Sequence, residues 1–276
     1  MIRDILVHLA QGPESDFAAS YAVSLAAAYG GHLTGLAISY EIDVPPFYMG
    51  AVPTDFIDIQ MRENEAAAAN TAARFQDIAR AAGVSHEVRT LCVSFGAAAN
   101  AFAEMSRLYD LTLIAQPDPD RLGPEEIFVE TALLESGRAV LIVPYVRKTP
   151  YVGGRAVVAW DGGRAAARAL NEALPLLHRA EIIDIFCTHR ANAAPPENSA
   201  DVVRHLNRHG LNAQLSLLPL GAGTDAASAI LNEVADRGAE LLVMGGYGHS
   251  PLRQLVLGGV TREILASMTV PVLMAN

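Results

Sequence analysis

The chain opens on a charged pair followed by a short apolar run, Ile5-Leu6-Val7, which reads as a buried strand. Near the middle, Val157-Val158-Ala159-Trp160 repeats that pattern. A turn and an amphipathic stretch follow each run. In the first, Asp16 to Tyr29, the residues Phe17, Tyr21 and Leu25 recur every four positions. In the second, Gly163 to Leu177, Ala166, Leu170, Leu174 and Leu177 line one helical face. Further strands are expected at 33–38 and 182–187, then at 86–93 and 213–218, with Pro219 expected to stop the last of these. Helices are expected at 57–82 and 197–208, and at 96–108 and 225–237. Fourth strands fall at 111–115 and 241–244, and last strands at 139–143 and 270–274.

The order of elements is the same in both halves, and equivalent strands lie at a nearly constant offset. The chain therefore reads as a duplicated βαβαβαβαβ unit, giving two tandem doubly wound α/β units with parallel sheets. The pattern breaks at Arg147 to Gly154, where Pro and Gly cluster, which sets the units at 1–148 and 153–276. Parallel strands joined by helices place ligand sites beyond the strand C-termini. The first unit has an extra excursion, Glu41 to Phe56, rich in Pro and aromatic residues; it reads as a packing loop or a lid.

Composition narrows the functional classes. With 276 residues and a hydrophobic fraction of 51 %, the chain can bury a full core. Mean hydropathy is +0.23, yet no apolar run is long enough to cross a bilayer, and the N-terminus does not read as a secretory signal. A soluble, cytoplasmic protein is expected. Net charge is −10, which disfavours nucleic acid and anionic membranes as partners. The charge is uneven: residues 1–148 carry −9 and residues 149–276 carry −1. A polyphosphate meets less repulsion in the second half. Lys148 is the only lysine, so a lysine-tipped phosphate loop is excluded from the second half. The two cysteines, Cys92 and Cys187, have neither disulfide-framework nor zinc-site spacing.

The stretch that carries chemistry is Met244-Gly245-Gly246-Tyr247-Gly248-His249-Ser250, continuing to Gly258-Gly259-Val260-Thr261. It leaves the fourth strand of the second unit and runs into a helix start. Glycines there let the backbone approach a ligand, and the free N–H groups of the helix start attract anions. The two clusters can converge on phosphates without a lysine.

This pattern resembles the nucleotide signature of the universal stress protein family, G-x2-G-x9-G-[ST]. Here it is Gly245-x2-Gly248-x9-Gly258-Gly259, with Gly259 where Ser or Thr is usual. The resemblance spans the chain as two tandem units. It implies strand order 3-2-1-4-5 and pairing of the units through their last strands as an intramolecular pseudo-dimer, with a further homodimer left open. It also implies binding of ATP, or AMP or ADP, with Mg²⁺ accompanying the phosphates, and a protein partner it does not identify.

Carried over residue by residue, the resemblance has Asp161 near the ribose and base, with Ala159 and Trp160 flanking the base. Cys187 offers its backbone to adenine, Met244 lines the base pocket and Gly245 the ribose. Gly248, His249 and Ser250 approach the phosphates from one side, and Gly258, Gly259, Val260 and Thr261 from the other. Asp161 also suits a helix start, Trp160 core packing and His249 a loop cap. Arg253 either screens phosphate charge or is simply exposed.

The first unit lacks the pattern. Its equivalent stretch is Ile114 to Asp120, with Pro117 and Pro119 removing amide donors and Asp118 and Asp120 repelling phosphate. Ala10 stands at the position matching Asp161. One competent site is expected, in the second unit. His205 and His209 form a metal-pair spacing without a third ligand, so a solvated helix face is the plainer reading. No catalytic base or carboxylate pair accompanies the glycines, so hydrolysis is expected to be slow or absent. The alternatives are an interaction module that binds no nucleotide, and an electron-transfer or nucleotidyl-transfer enzyme on the same fold.

Overall fold

A computed structural model describes residues 1–11, 17–42, 54–117, 125–146, 153–190, 192–221, 223–247 and 259–276. The first half contains β1 (Asp4–Leu9), α1 (Phe17–Tyr29), β2 (His32–Glu41), α2 (Thr54–Ala81), β3 (His86–Ser94), α3 (Phe95–Ser106), β4 (Leu111–Ala115), α4 (Glu125–Glu135) and β5 (Val140–Val143). The second contains β6 (Gly154–Ala159), α5 (Arg164–Leu177), β7 (Ala180–Arg190), α6 (Ser199–Arg208), β8 (Ala213–Leu220), α7 (Ala226–Asp236), β9 (Leu241–Gly245), α8 (Gly259–Ser267) and β10 (Val272–Ala275). The join at 147–152 and most of the excursion, 43–53, lie outside the described residues. Its last residues, 54–56, belong to α2.

All ten strands form one sheet in the order β3-β2-β1-β4-β5-β10-β9-β6-β7-β8. Each half has the 3-2-1-4-5 order, and every pairing within a half is parallel. The halves meet where β5 and β10 run antiparallel, with Leu141 opposite Leu273. Helices cover both faces, so inner strands such as Val140–Val143 are buried throughout, as parallel sheets require. One core lies under α1, α2, α5 and α6, the other under α3, α4, α7 and α8, and each contains residues of both halves.

Polar contacts fasten the two halves. Gln116, just beyond β4, donates from Nε2 to the Leu265 carbonyl of α8 at 2.8 Å. Tyr29 donates its hydroxyl to the Pro175 carbonyl at 3.2 Å, and the Arg179 guanidinium lies 4.2 Å from the Tyr29 ring centroid. Arg168 donates to the Gly137 carbonyl.

One expected boundary is corrected. Pro219 does not stop β8, which runs on to Leu220 with Pro219 in register with His189. The alternation explains this. Ile183 N–H donates to Asn212 C=O, so residues 214, 216, 218 and 220 turn their backbone groups to β7, and 215, 217 and 219 turn theirs outward. The N–H that Pro219 lacks would have faced away from the ladder, at a sheet edge where proline is tolerated.

Candidate functional site

Strand order reverses between β6 and β9, and their C-terminal ends lie side by side, with Ala159 in register with Met244. A crevice at such a reversal is where doubly wound sheets hold ligands. Asp161 lies on the turn leaving β6. It is exposed, and its Oδ1 accepts the Gly163 N–H at 2.7 Å, an Asx turn that leads into α5. Asp161 is therefore not the helix cap: Gly163 holds that position, and the Asp161 side chain closes the turn before it.

Ala159 and Trp160 do not flank one volume. Successive strand residues point to opposite faces. Trp160 is buried in the core under α5 and α6, where its Nε1 donates to Asn198 Oδ1 at 3.0 Å. Ala159 packs on the other face, against the core that also holds Met244. Met244 is itself buried, among neighbours such as Ile264 and Leu265. Beside Trp160 a cavity of about 230 Å³ opens between α5 and α6, lined also by Leu170, Asn198 and Val202.

The register also fixes which residues of β7 turn their backbone toward β6. Trp160 N–H donates to Phe186 C=O at 2.8 Å, so even residues of β7 face β6 and odd ones face β8. Cys187, in register with Leu217, therefore commits its backbone to the β7–β8 ladder, and its buried thiol lies 3.5 Å from Ser199 Oγ. Burial pushes the Cys187 thiol above its ordinary range. Thr188 is the first residue of β7 that turns its backbone toward β6 beyond the end of that strand. That orientation of Thr188 is not legible in the sequence, because it depends on strand parity rather than residue type.

At the end of β9, Gly245 is in register with Ala275, and Gly246 N–H donates to Ala275 C=O at 2.8 Å. A Cβ on Gly245 would sit 2.6 Å from Ala166 N and 2.9 Å from the carbonyl carbon of Ala165. The glycine at 245 is thus required by the first turn of α5, whatever it does for a ribose. Gly245→Ala is expected to cost about 2 kcal/mol, since backbone must give way on one side. A urea midpoint lowered to match, at unchanged slope, checks this.

Tyr247 follows with φ of 57°, a left-handed conformation uncommon for a side-chain-bearing residue. Its hydroxyl is buried, and burial, with Glu130 and Glu126 of α4 nearby, pushes the phenol well above its ordinary range. The ring packs against the core under α3, α4, α7 and α8, which contains residues of both halves. Gly248, His249, Ser250, Arg253 and Gly258 lie outside the described residues. Helix α8 begins at Gly259, where an added Cβ would meet nothing within 4 Å among the described residues. The first turn of α8 holds no acidic residue, and Val260 is exposed. Thr261 is buried.

The equivalent crown of the first half is built differently. His8 corresponds to Ala159 by register and is fully buried, stacked on Phe128 at 4.3 Å between ring centroids and edge-on to Phe102 at 5.6 Å. Burial pushes its pKa down to about 4. Gln116 corresponds to Gly246, because its N–H donates to Val143 C=O as Gly246 donates to Ala275. Its side chain is spent on the contact with α8. Asp118, Pro119 and Asp120 lie outside the described residues.

His205 and His209 are exposed and stacked edge to face at 4.7 Å. Among the described residues no group of three His, Cys, Asp or Glu side chains could hold a metal ion. Among the same residues no helix is long and apolar enough to cross a membrane.

Fold and crown together define a tandem doubly wound α/β protein with a glycine-edged strand end at one switch point. Residues 219–276 match the model of the universal stress protein family. The chain is 28 % identical over 122 residues to universal stress protein Slr1230 of Synechocystis, a match covering 43 % of this chain and 41 % of that protein. It is 28 % identical over 143 residues to universal stress protein YxiE of Bacillus subtilis, covering 44 % of this chain and 97 % of that one. Among solved structures, a universal stress protein from Archaeoglobus fulgidus superposes with a TM-score of 0.72 at 16 % identity, over 99 % of this chain and 98 % of that one. A putative universal stress protein from Pseudomonas aeruginosa gives 0.58 at 17 % identity, over 99 % and 92 %. The chain is thus similar to universal stress proteins in its last 58 residues, in part of its sequence and in its fold.

Proposed function

We propose that this protein binds an adenine nucleotide, ATP in the first instance, at the crown of its second half, residues 153–276. Its nucleotide state would then set its contacts with a protein partner during stress. One observation carries the reading. In sequence, the Gly245-x2-Gly248-x9-Gly258 pattern starts at the end of β9, just before the left-handed Tyr247, and ends directly before the first residue of α8, in the half-sheet whose strand order reverses at β6 and β9. Free N–H groups at a helix start favour phosphate, and the second half carries little charge to oppose it. In this reading the base meets the backbone of Thr188 in place of Cys187, and the ribose meets Asp161. Phosphates, with Mg²⁺, lie between Gly248-His249-Ser250 and Gly258-Gly259-Val260. With no lysine in this half, turnover is slow or absent.

The test is to release and identify small molecules from the purified protein, then titrate ATP by calorimetry and by Trp160 fluorescence. Trp160 is the only tryptophan and lines the cavity beside the crevice, so its emission reports on this region. Saturable binding that Gly248→Val abolishes is the expected result. A flat titration of the wild type by both methods favours the second reading, an interaction module without nucleotide. That reading draws on Gly259, which lacks the hydroxyl of the family's usual Ser or Thr.

A further inference from the structure

The sheet ends in two edge strands that differ in how they are guarded. The β3 edge carries His86, Glu87 and Arg89, with Arg89 Nε 2.8 Å from Glu87 Oε1. Charges of this kind keep an edge from pairing with another chain. The β8 edge, Ala-Gln-Leu-Ser-Leu-Leu-Pro-Leu, carries none, and it exposes Leu215 at 38 %, Leu217 at 44 % and Leu218 at 39 %.

The outward donors on β8 form a short, self-complementary set. By the alternation already given, Ala213, Leu215, Leu217 and Pro219 turn their backbones outward. Ala213 N–H is already taken by Asn207 Oδ1 at 3.1 Å, and Pro219 has no N–H. Leu215 and Leu217 remain, with no outward backbone partner among the described residues. A second β8 laid antiparallel about a two-fold axis at Ser216 sets Leu215 against the second copy's Leu217 and the reverse. Both positions then form hydrogen-bonded pairs, giving four N–H···O=C bonds. The next pair outward sets Pro219 against the second copy's Ala213, so no free donor is left facing a carbon. Leu215 and Leu217 of both copies lie on one face, the side of Ala213 and α6, as a four-leucine cluster.

We infer that the β8 edge joins two copies of this chain through antiparallel β8–β8 pairing centred on Ser216, extending the sheet across both molecules. Charge favours this end of the molecule: the second half carries −1 and the first −9, so two second halves approach with little repulsion.

Sedimentation velocity over a wide concentration range gives the first readout. The wild type is expected to move from 29.3 kDa toward twice that mass. Leu217→Lys places a charge inside the leucine cluster and is expected to stay monomeric at every concentration, with the thermal midpoint of the wild type at low, monomeric concentration. Leu217→Pro removes one outward donor and leaves the β7 ladder intact; it is expected to be monomeric as well, which covers a folding failure of the lysine variant. The register has its own test. Ser216 would face the second copy's Ser216 as a non-hydrogen-bonded pair, with Cα atoms about 4.5 Å apart, within disulfide reach. Ser216→Cys in a Cys92→Ser background is expected to form a disulfide-linked dimer on mild oxidation. A wild type that stays monomeric throughout overturns the proposal. So does a folded Leu217→Lys that dimerises like the wild type, or a Ser216→Cys chain that fails to cross-link where the wild type is dimeric.

Discussion

Replacing Asp184 with alanine is expected to lower the unfolding free energy by about 3 kcal/mol. Its side chain is fully buried in β7, where Arg155 Nε lies 2.7 Å from Oδ2 and Gln214 Nε2 donates to Oδ1 at 2.6 Å. The carboxylate therefore joins the second residues of β6 and β8, Arg155 and Gln214, across the strand between them. Its loss leaves the Arg155 guanidinium and the Gln214 amide without their acceptor in a site shielded by α7. Removing one member of a buried pair costs more than the pair contributes, because the remaining charge has lost its compensation. The side chain of Arg155 is 27 % exposed, so water recovers part of the loss and the effect falls at the low end of the range for buried pairs. Urea unfolding at neutral pH reads this directly. The double variant Asp184→Ala with Arg155→Met is expected to regain much of the stability, since no buried charge is stranded. A single variant within 1 kcal/mol of the wild type, about a third of the expected loss, would show that the pair contributes little.

The second large effect is on pH. His8 has a folded pKa of about 4 against 6.5 for a free histidine, because its ring is sealed between Phe128 and Phe102. Between those values the unfolded chain binds a proton that the folded chain does not. Stability is unaffected by His8 above pH 6.5, falls as pH drops through the window, and has lost the whole contribution below pH 4. A shift of that size corresponds to about 3 kcal/mol. His8→Leu removes the titrating group, so its unfolding free energy is expected to decline less steeply between pH 7.5 and 4.5 than that of the wild type. The comparison is of slopes, because the lost stacking changes stability at every pH. Parallel slopes for the two proteins would sink the account.

His8 also shows why the two halves do different work. In the first half, an imidazole stacked in the core and a glutamine locked into α8 occupy the positions that Ala159 and Gly246 hold in the second. The first crown serves the join between halves. The second keeps a small side chain, a glycine and a left-handed residue at the end of β9. Most of the negative charge lies in the first half, residues 1–148.

Much of this was legible in the amino-acid order. Apolar runs such as Val157-Val158 and Leu111 to Ala115 must be buried, so they mark inner strands whatever surrounds them. Spacings of four along Tyr21 and Leu25, or Ala166 and Leu170, mark helix faces for the same reason. Those local patterns, repeated at a constant offset, were enough for the doubled α/β fold, and the glycine spacing after β9 pointed to the crevice. Properties that depend on a neighbour were not legible. Pro219 breaks a strand only if its missing N–H faces the ladder, and its parity against β7 decides that. Gly245 is fixed by the approach of α5. Cys187 is turned away from the crevice, and Thr188 toward it, by the register of three strands. The sequence by itself determined which segments bury and how often they recur, because hydrophobic periodicity is a local property of the chain. Only the tertiary structure decided which face, which ladder and which partner each site residue meets, because those are set by contacts between segments far apart in sequence.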